Sequence, residues 1–153
     1  MITKILAQIE NFKNHVEQAT LCNTNISTVS VGWHVEHSVE VIINTAKLLA
    51  KSNPEEYKPT FSLPKLIVLT TGKIPRGKAK APASVCPSVV ADKTLLLQKI
   101  DGATIALQSI QNLPANHFFK HPFFGHLNVK SYNKFLFIHG HHHLKIINDL
   151  IKH

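Results

Sequence analysis

The sequence predicts an all-α helical bundle. Four long stretches carry apolar residues at helical spacing. Most of them open on a capping side chain. No two β-prone segments are available to pair as strands. At 153 residues the chain suits one domain over 1–153 with a single core.

Ile2, Ile5, Leu6, Ile9, Phe12 and Val16 recur at spacings of three and four, one face of a helix over about 2–19. Asn23 to Ser27 is a polar break. Ser30 then has the character of an N-cap, and a long helix follows from about Val31 to Ala50. Its main stripe is Val35, Val39, Ile42, Ala46 and Leu49. Trp33, His37, Val41 and Leu48 make a second apolar side, so this helix packs against more than one neighbour. Ser62 caps a shorter helix over Leu63–Thr71, with Pro64 in its first turn and Gly72 placed to end it.

Residues 73–88 hold three prolines, a glycine and several cations, and read as a loop. Asp92 caps a helix from Lys93 to about Asn112, with Leu95, Leu96, Ile100, Ala103, Leu107 and Ile110 as its stripe. From Leu113 to Leu127, Pro114, Pro122, Gly125 and four phenylalanines suggest a structured loop covering one end of the core. Asn128 caps the last helix, about Val129–Ile151.

Composition narrows the function classes. No apolar run approaches the roughly 18 residues of a membrane span, and the N-terminus lacks a signal-peptide pattern, which predicts a cytoplasmic protein. Two cysteines, Cys22 and Cys86, are too few for a disulfide scaffold and read as reduced thiols. No phosphate-binding glycine loop, Gly-x-Ser-x-Gly elbow or Cys-x-x-Cys is present. The net charge is +8. From Tyr57 to Ala91 no acidic residue occurs, while Lys58, Lys65, Lys73, Arg76, Lys78 and Lys80 all fall there. Such a stretch suits an acidic partner or nucleic acid, although beyond Phe61 it contains no aromatic to interleave for base stacking.

Histidine is the outlier, at 11 residues, five of them in the last fifteen positions. His139 and His143 are four apart and share the inward stripe of the last helix with Tyr132, Phe135, Leu136, Ile146, Ile147 and Leu150. Neutral imidazoles are good ligands for divalent transition metals, and a shared ion would compensate the burial of both rings. His142 is a rival on the flank of the stripe, and His141 should face solvent. A third ligand must come from another helix, where His34 and His37 are the candidates; periodicity does not separate them. Glu36 and Glu40 adjoin His37 and are candidates for an outer acceptor or general base. His117, His121 and His126 belong to the aromatic loop, where hydrogen bonding within the loop is their simplest role.

Three stretches carry a family resemblance. Ser30-Val31-Gly32-Trp33-His34-Val35-Glu36-His37-Ser38 resembles the start of the second helix in the DinB/YfiT-like superfamily, in which a capping Ser or Thr precedes a metal-binding His by seven residues. His139-Gly140-His141-His142-His143-Leu144 resembles that family's last-helix pattern, His-x-x-His-His-Leu. Phe119 to Leu127 is similar to the His-Pro-aromatic-Phe-Gly loop of one DinB-like branch. The resemblance implies a four-helix bundle of up-down-down-up topology with one extra short helix. It also implies one divalent metal held by His37, His139 and His143.

It further implies a metal-dependent enzyme, a thiol-dependent transferase or a hydrolase acting on a small molecule, often as a homodimer. The Gln that frequently follows the His-His-Leu pattern is Ile146 here, so no role needing that amide carries over. Nickel, zinc, iron and manganese all accept such ligands. A low-molecular-weight thiol is the cofactor the transferase reading adds. The alternatives are a non-catalytic metal-binding module and a nucleic-acid-binding module using residues 58–80.

Overall fold

The computed structural model describes residues 1–77, 85, 86 and 92–152. It is mainly helical. The α-helices among the described residues are α1 (Ile2–Asn14), α2 (Val31–Lys51), α3 (Leu63–Thr71), α4 (Lys93–Ser109) and α5 (Val129–Lys152). Two short strands, β1 (Phe118–His121) and β2 (Gly125–Asn128), precede α5.

Four of the helices start on a side-chain cap; α1, which follows Met1, has none. The side chains of Ser30, Ser62 and Asp92 accept the backbone N–H of Trp33, Lys65 and Leu95. Asn128 Oδ1 accepts from the N–H of Ser131 at 3.1 Å. Each bond satisfies one of the orphan donors that every helix N-terminus leaves. Gly72 ends α3 in the left-handed region, at φ 67°.

α1 and α2 each pack against both α4 and α5. The core between them is built on Phe12, Leu49, Leu96, Ile100, Leu107, Tyr132, Ile147 and Leu150, all at most 2% exposed. The main stripe of α2 and the apolar residues of the α5 stripe are buried. Two expected core positions are not: Leu48 and Leu95 are 55% and 44% exposed. Each lies on the edge of its helix's apolar arc, where no neighbour covers it. α1 stops at Asn14, and Val16–Gln18 continues as a 3-10 turn, so the expected helix over 2–19 is shorter and broken at His15. α4 likewise ends at Ser109, three residues before the expected end.

The main correction concerns residues 118–128. The chain has a strand pair after all: β1 and β2 are antiparallel, with Phe119 opposite Leu127 and His121 opposite Gly125. Phe119 and Leu127 point into the core, and the Phe119 ring meets Tyr132 edge-on at 6.2 Å. Three residues connect the strands, and Gly125 closes the turn at φ 66°. Thr60 holds the turn in place, its Oγ1 accepting from the N–H of His126 at 2.8 Å. A Cβ on Gly125 would lie 2.3 Å from that same oxygen. Both the left-handed backbone and the close approach therefore demand glycine here. Replacing Gly125 with Ala should lower stability by about 1–3 kcal/mol, read as a drop in the urea midpoint.

Candidate metal centre

The Ser30 cap fixes where α2 begins. That places His34 and His37, three residues apart, on the face turned toward α5. Both are 4% exposed. α5 brings His139 and His143 to meet them, His143 buried and His139 partly buried. The ring centroids of His37, His139 and His143 lie 4.5–5.2 Å apart. One nitrogen from each of the three falls within 4.8 Å of the others.

The structure brings together one imidazole of each rival pair. His37 joins His139 and His143, while His34 stands behind His143, its Nδ1 2.9 Å from that ring's Nδ1. His142 stands outside the group, half-buried, with its ring edge-on to His143 at 5.1 Å. His141 is exposed, as its phase on the helix requires.

The chemistry of this donor set fits a divalent ion. Nε2 of His143 and Nε2 of His139 are 3.2 Å apart, the spacing of two ligands on one tetrahedral ion with bonds of roughly 2.0–2.1 Å. His37 Nδ1 lies 2.6 Å from the carbonyl oxygen of Val85. A carbonyl only accepts, so Nδ1 carries the proton and Nε2 is left with a free lone pair. The Trp33 ring stacks on His37 at 4.8 Å and 12°, holding its plane. Burial holds the pKa of all three imidazoles below the ordinary value, for His139 and His143 far below it. The positive charge their neighbours would carry adds to the effect for those two. The rings are therefore neutral near pH 7, the form that ligates metal.

Other expected participants are engaged elsewhere. Glu36 and Glu40 do not join the imidazoles: their carboxylates meet Lys99 of α4 at 2.6 and 2.8 Å. Glu36 is 3% exposed, so this is a cross-helix ion pair rather than a solvated face. His117 Nδ1 faces the carbonyl of Leu49, and His126 Nδ1 that of Lys58. His121 Nδ1 accepts the N–H groups of Phe123 and Phe124, at 3.1 and 3.2 Å, bracing the hairpin turn. None of the three enters the cluster. In the basic stretch, Lys65 donates to the carbonyl of Thr60, and Arg76 pairs with Asp149 at 2.6 Å. Lys78 and Lys80 lie outside the described residues. Cys22 and Cys86 form no disulfide. No described helix is long and apolar enough to cross a membrane.

Sequence reasoning missed the carbonyl of Val85, since no side chain marks a loop carbonyl as a partner. It also missed Ser27, whose Oγ lies 3.0 Å from Nε2 of His34. Compared with known proteins, the chain matches no protein-family model, no curated protein and no solved structure.

Burial gives the histidines a signature in stability. It lowers the pKa of His34 and of His121 from 6.5 to about 4; for His34 the neighbouring His37 adds to the effect. Above pH 6.5 neither the folded nor the unfolded chain protonates these rings, and their contribution is complete. Between about 6.5 and 4 the unfolded chain takes up protons that the folded chain refuses. Stability then falls as the pH falls, by at most about 1.4 kcal/mol per pH unit for each ring. Below 4 the folded rings protonate too and the slope from this pair ends. The urea midpoint of metal-free protein should therefore be lower at pH 4.5 than at pH 7.

Proposed function

We propose that the chain is a metal-dependent enzyme of the DinB-like type. In this reading it is a four-helix bundle of up-down-down-up topology, and His37, His139 and His143 hold one divalent ion. The reaction proposed is a thiol-dependent transfer or a hydrolysis on a small molecule. The convergence of one imidazole from α2 with two from α5, nitrogens within 4.8 Å, carries this reading. Three protein ligands are the pattern of catalytic rather than closed structural sites. When bound, the ion supplies a Lewis acid with a coordination position open to an external group.

The chain's own residues prepare that position. His37 presents Nε2 because Val85 holds the proton on Nδ1. Trp33 and Phe135 flank the imidazoles with apolar surface, Phe135 lying 5.6 Å from His139. The ligands are neutral, so the charge of a divalent ion stays undiminished and favours an anion such as a thiolate or a carboxylate. The Glu36 and Glu40 carboxylates, which would oppose this, are held by Lys99. Nickel, zinc, iron and manganese are the candidate ions. Internal pairing of Lys65 and Arg76 favours this reading over nucleic-acid binding by residues 58–80.

Untagged protein should carry about one metal per chain by elemental analysis. Substituting His37, His139 or His143 with Ala should weaken affinity by more than roughly 100-fold, beyond the effect of losing an outer partner. His141→Ala, at an exposed position, should bind as the unaltered protein does. Failure of the unaltered protein to bind any of the four ions would overturn the proposal. If it binds, a screen of thiols against electrophilic substrates tests the transferase half.

A further inference from the structure

His143 has both ring nitrogens engaged. Nε2 faces Nε2 of His139 at 3.2 Å, and Nδ1 faces Nδ1 of His34 at 2.9 Å. The series continues outward. Nε2 of His34 lies 3.0 Å from Oγ of Ser27, and that oxygen also accepts the N–H of Val29 at 3.3 Å. His34 is 4% exposed and its carbonyl accepts from the hydroxyl of Ser38, so the ring sits on a fixed turn of α2.

The proton count along this series is restrictive. A neutral imidazole has one N–H and one lone pair. When Nε2 of His143 gives its lone pair to an ion, its proton must sit on Nδ1 and point at His34. Nδ1 of His34 must then accept, which puts the proton of His34 on Nε2, where it donates to Ser27. Only one arrangement satisfies every contact. Without an ion the reverse order is open too, with Ser27 donating and Nε2 of His143 protonated toward His139.

We infer that His34 and Ser27 are positioning residues, a hydrogen-bonded strut that fixes the tautomer and ring plane of His143 for metal binding. The inference rests on the three-histidine reading above. His34 acts through His143 and is not itself a ligand. The strut does for the α5 ligand what the Val85 carbonyl does for His37. A histidine in this position has a specific advantage over a carboxylate: it accepts the proton of His143 without adding negative charge to the centre.

The test compares His34→Ala, His34→Asn and Ser27→Ala with the unaltered chain. An Asn amide oxygen stands near the place of a histidine Nδ1 and can accept from His143. In zinc titrations His34→Ala should bind about 10–100-fold more weakly, His34→Asn should regain most of that loss, and Ser27→Ala should lose less than His34→Ala. X-ray absorption of the zinc-loaded proteins should count three histidines in every variant. In metal-free protein, long-range 1H–15N spectra should show altered ring nitrogens on His143 in His34→Ala and unaltered ones on His37. Unchanged zinc affinity in His34→Ala overturns the strut, as does a histidine count falling by one, which makes His34 a ligand. An unchanged His143 ring in the metal-free spectra overturns it too. If the unaltered chain binds no zinc, the titrations use whichever of nickel, iron or manganese it binds; if it binds none of the four, the metal reading falls, and the metal-free spectra alone decide the strut. Should His34→Ala fail to fold, His34→Asn and Ser27→Ala carry the same comparison.

Discussion

The interior of this protein is organised by the cost of dehydrating imidazole. Four histidine rings stand at the junction of α2 and α5, where the surrounding helix faces are apolar. A buried polar group without a partner costs about 1–3 kcal/mol, and several such groups would cancel most of the stability of a domain this size. The rings meet this constraint by turning to one another, to the Val85 carbonyl and to Ser27. Their mutual approach is thus required by the fold as well as useful to a metal. By contrast, Gln8 Oε1 and Asn133 Oδ1 are buried and have no hydrogen-bond partner among the described residues. Gln8 donates through its other amide atom to the carbonyl of Phe137 and lies over Gly140, where a Cβ would stand 2.7 Å from its oxygen.

Charge is kept apart from this neutral cluster. The two carboxylates nearest His37 in sequence are drawn to Lys99, which joins α2 to α4. Burial raises the stake of that contact, because Glu36 is almost fully enclosed, and an unpaired carboxylate there would be costly. The same pair thus ties two helices together and leaves the imidazole face of α2 free of negative charge.

Much of this was legible in the sequence, for identifiable reasons. Ser30, Ser62, Asp92 and Asn128 marked helix starts because capping is a local interaction, and Gly72 marked an end because only glycine is at ease in the left-handed region. The spacing of His139 and His143 on an apolar stripe pointed to one shared target. The choice between His34 and His37 was not legible. They are three residues apart on one face, and only the height at which α5 crosses α2 separates the ring that joins the three-histidine group from the ring behind it. The hairpin was hidden too. Its strands are four residues long, lack β-branched residues and lie on either side of Pro122, with Gly125 opening the second, so local composition reads as loop. Its stability comes from distant groups, Thr60, Ser52 and Tyr132.

The stacking of Trp33 on His37 has an optical consequence. This is the only tryptophan in the chain, and its indole lies nearly parallel to a ring of the three-histidine group at a centroid distance of 4.8 Å. Indole emission is quenched by a charged imidazole in contact with it. The protein therefore carries a native fluorophore at its chemically most interesting point, and light emitted by an unlabelled sample reports on the state of that one spot.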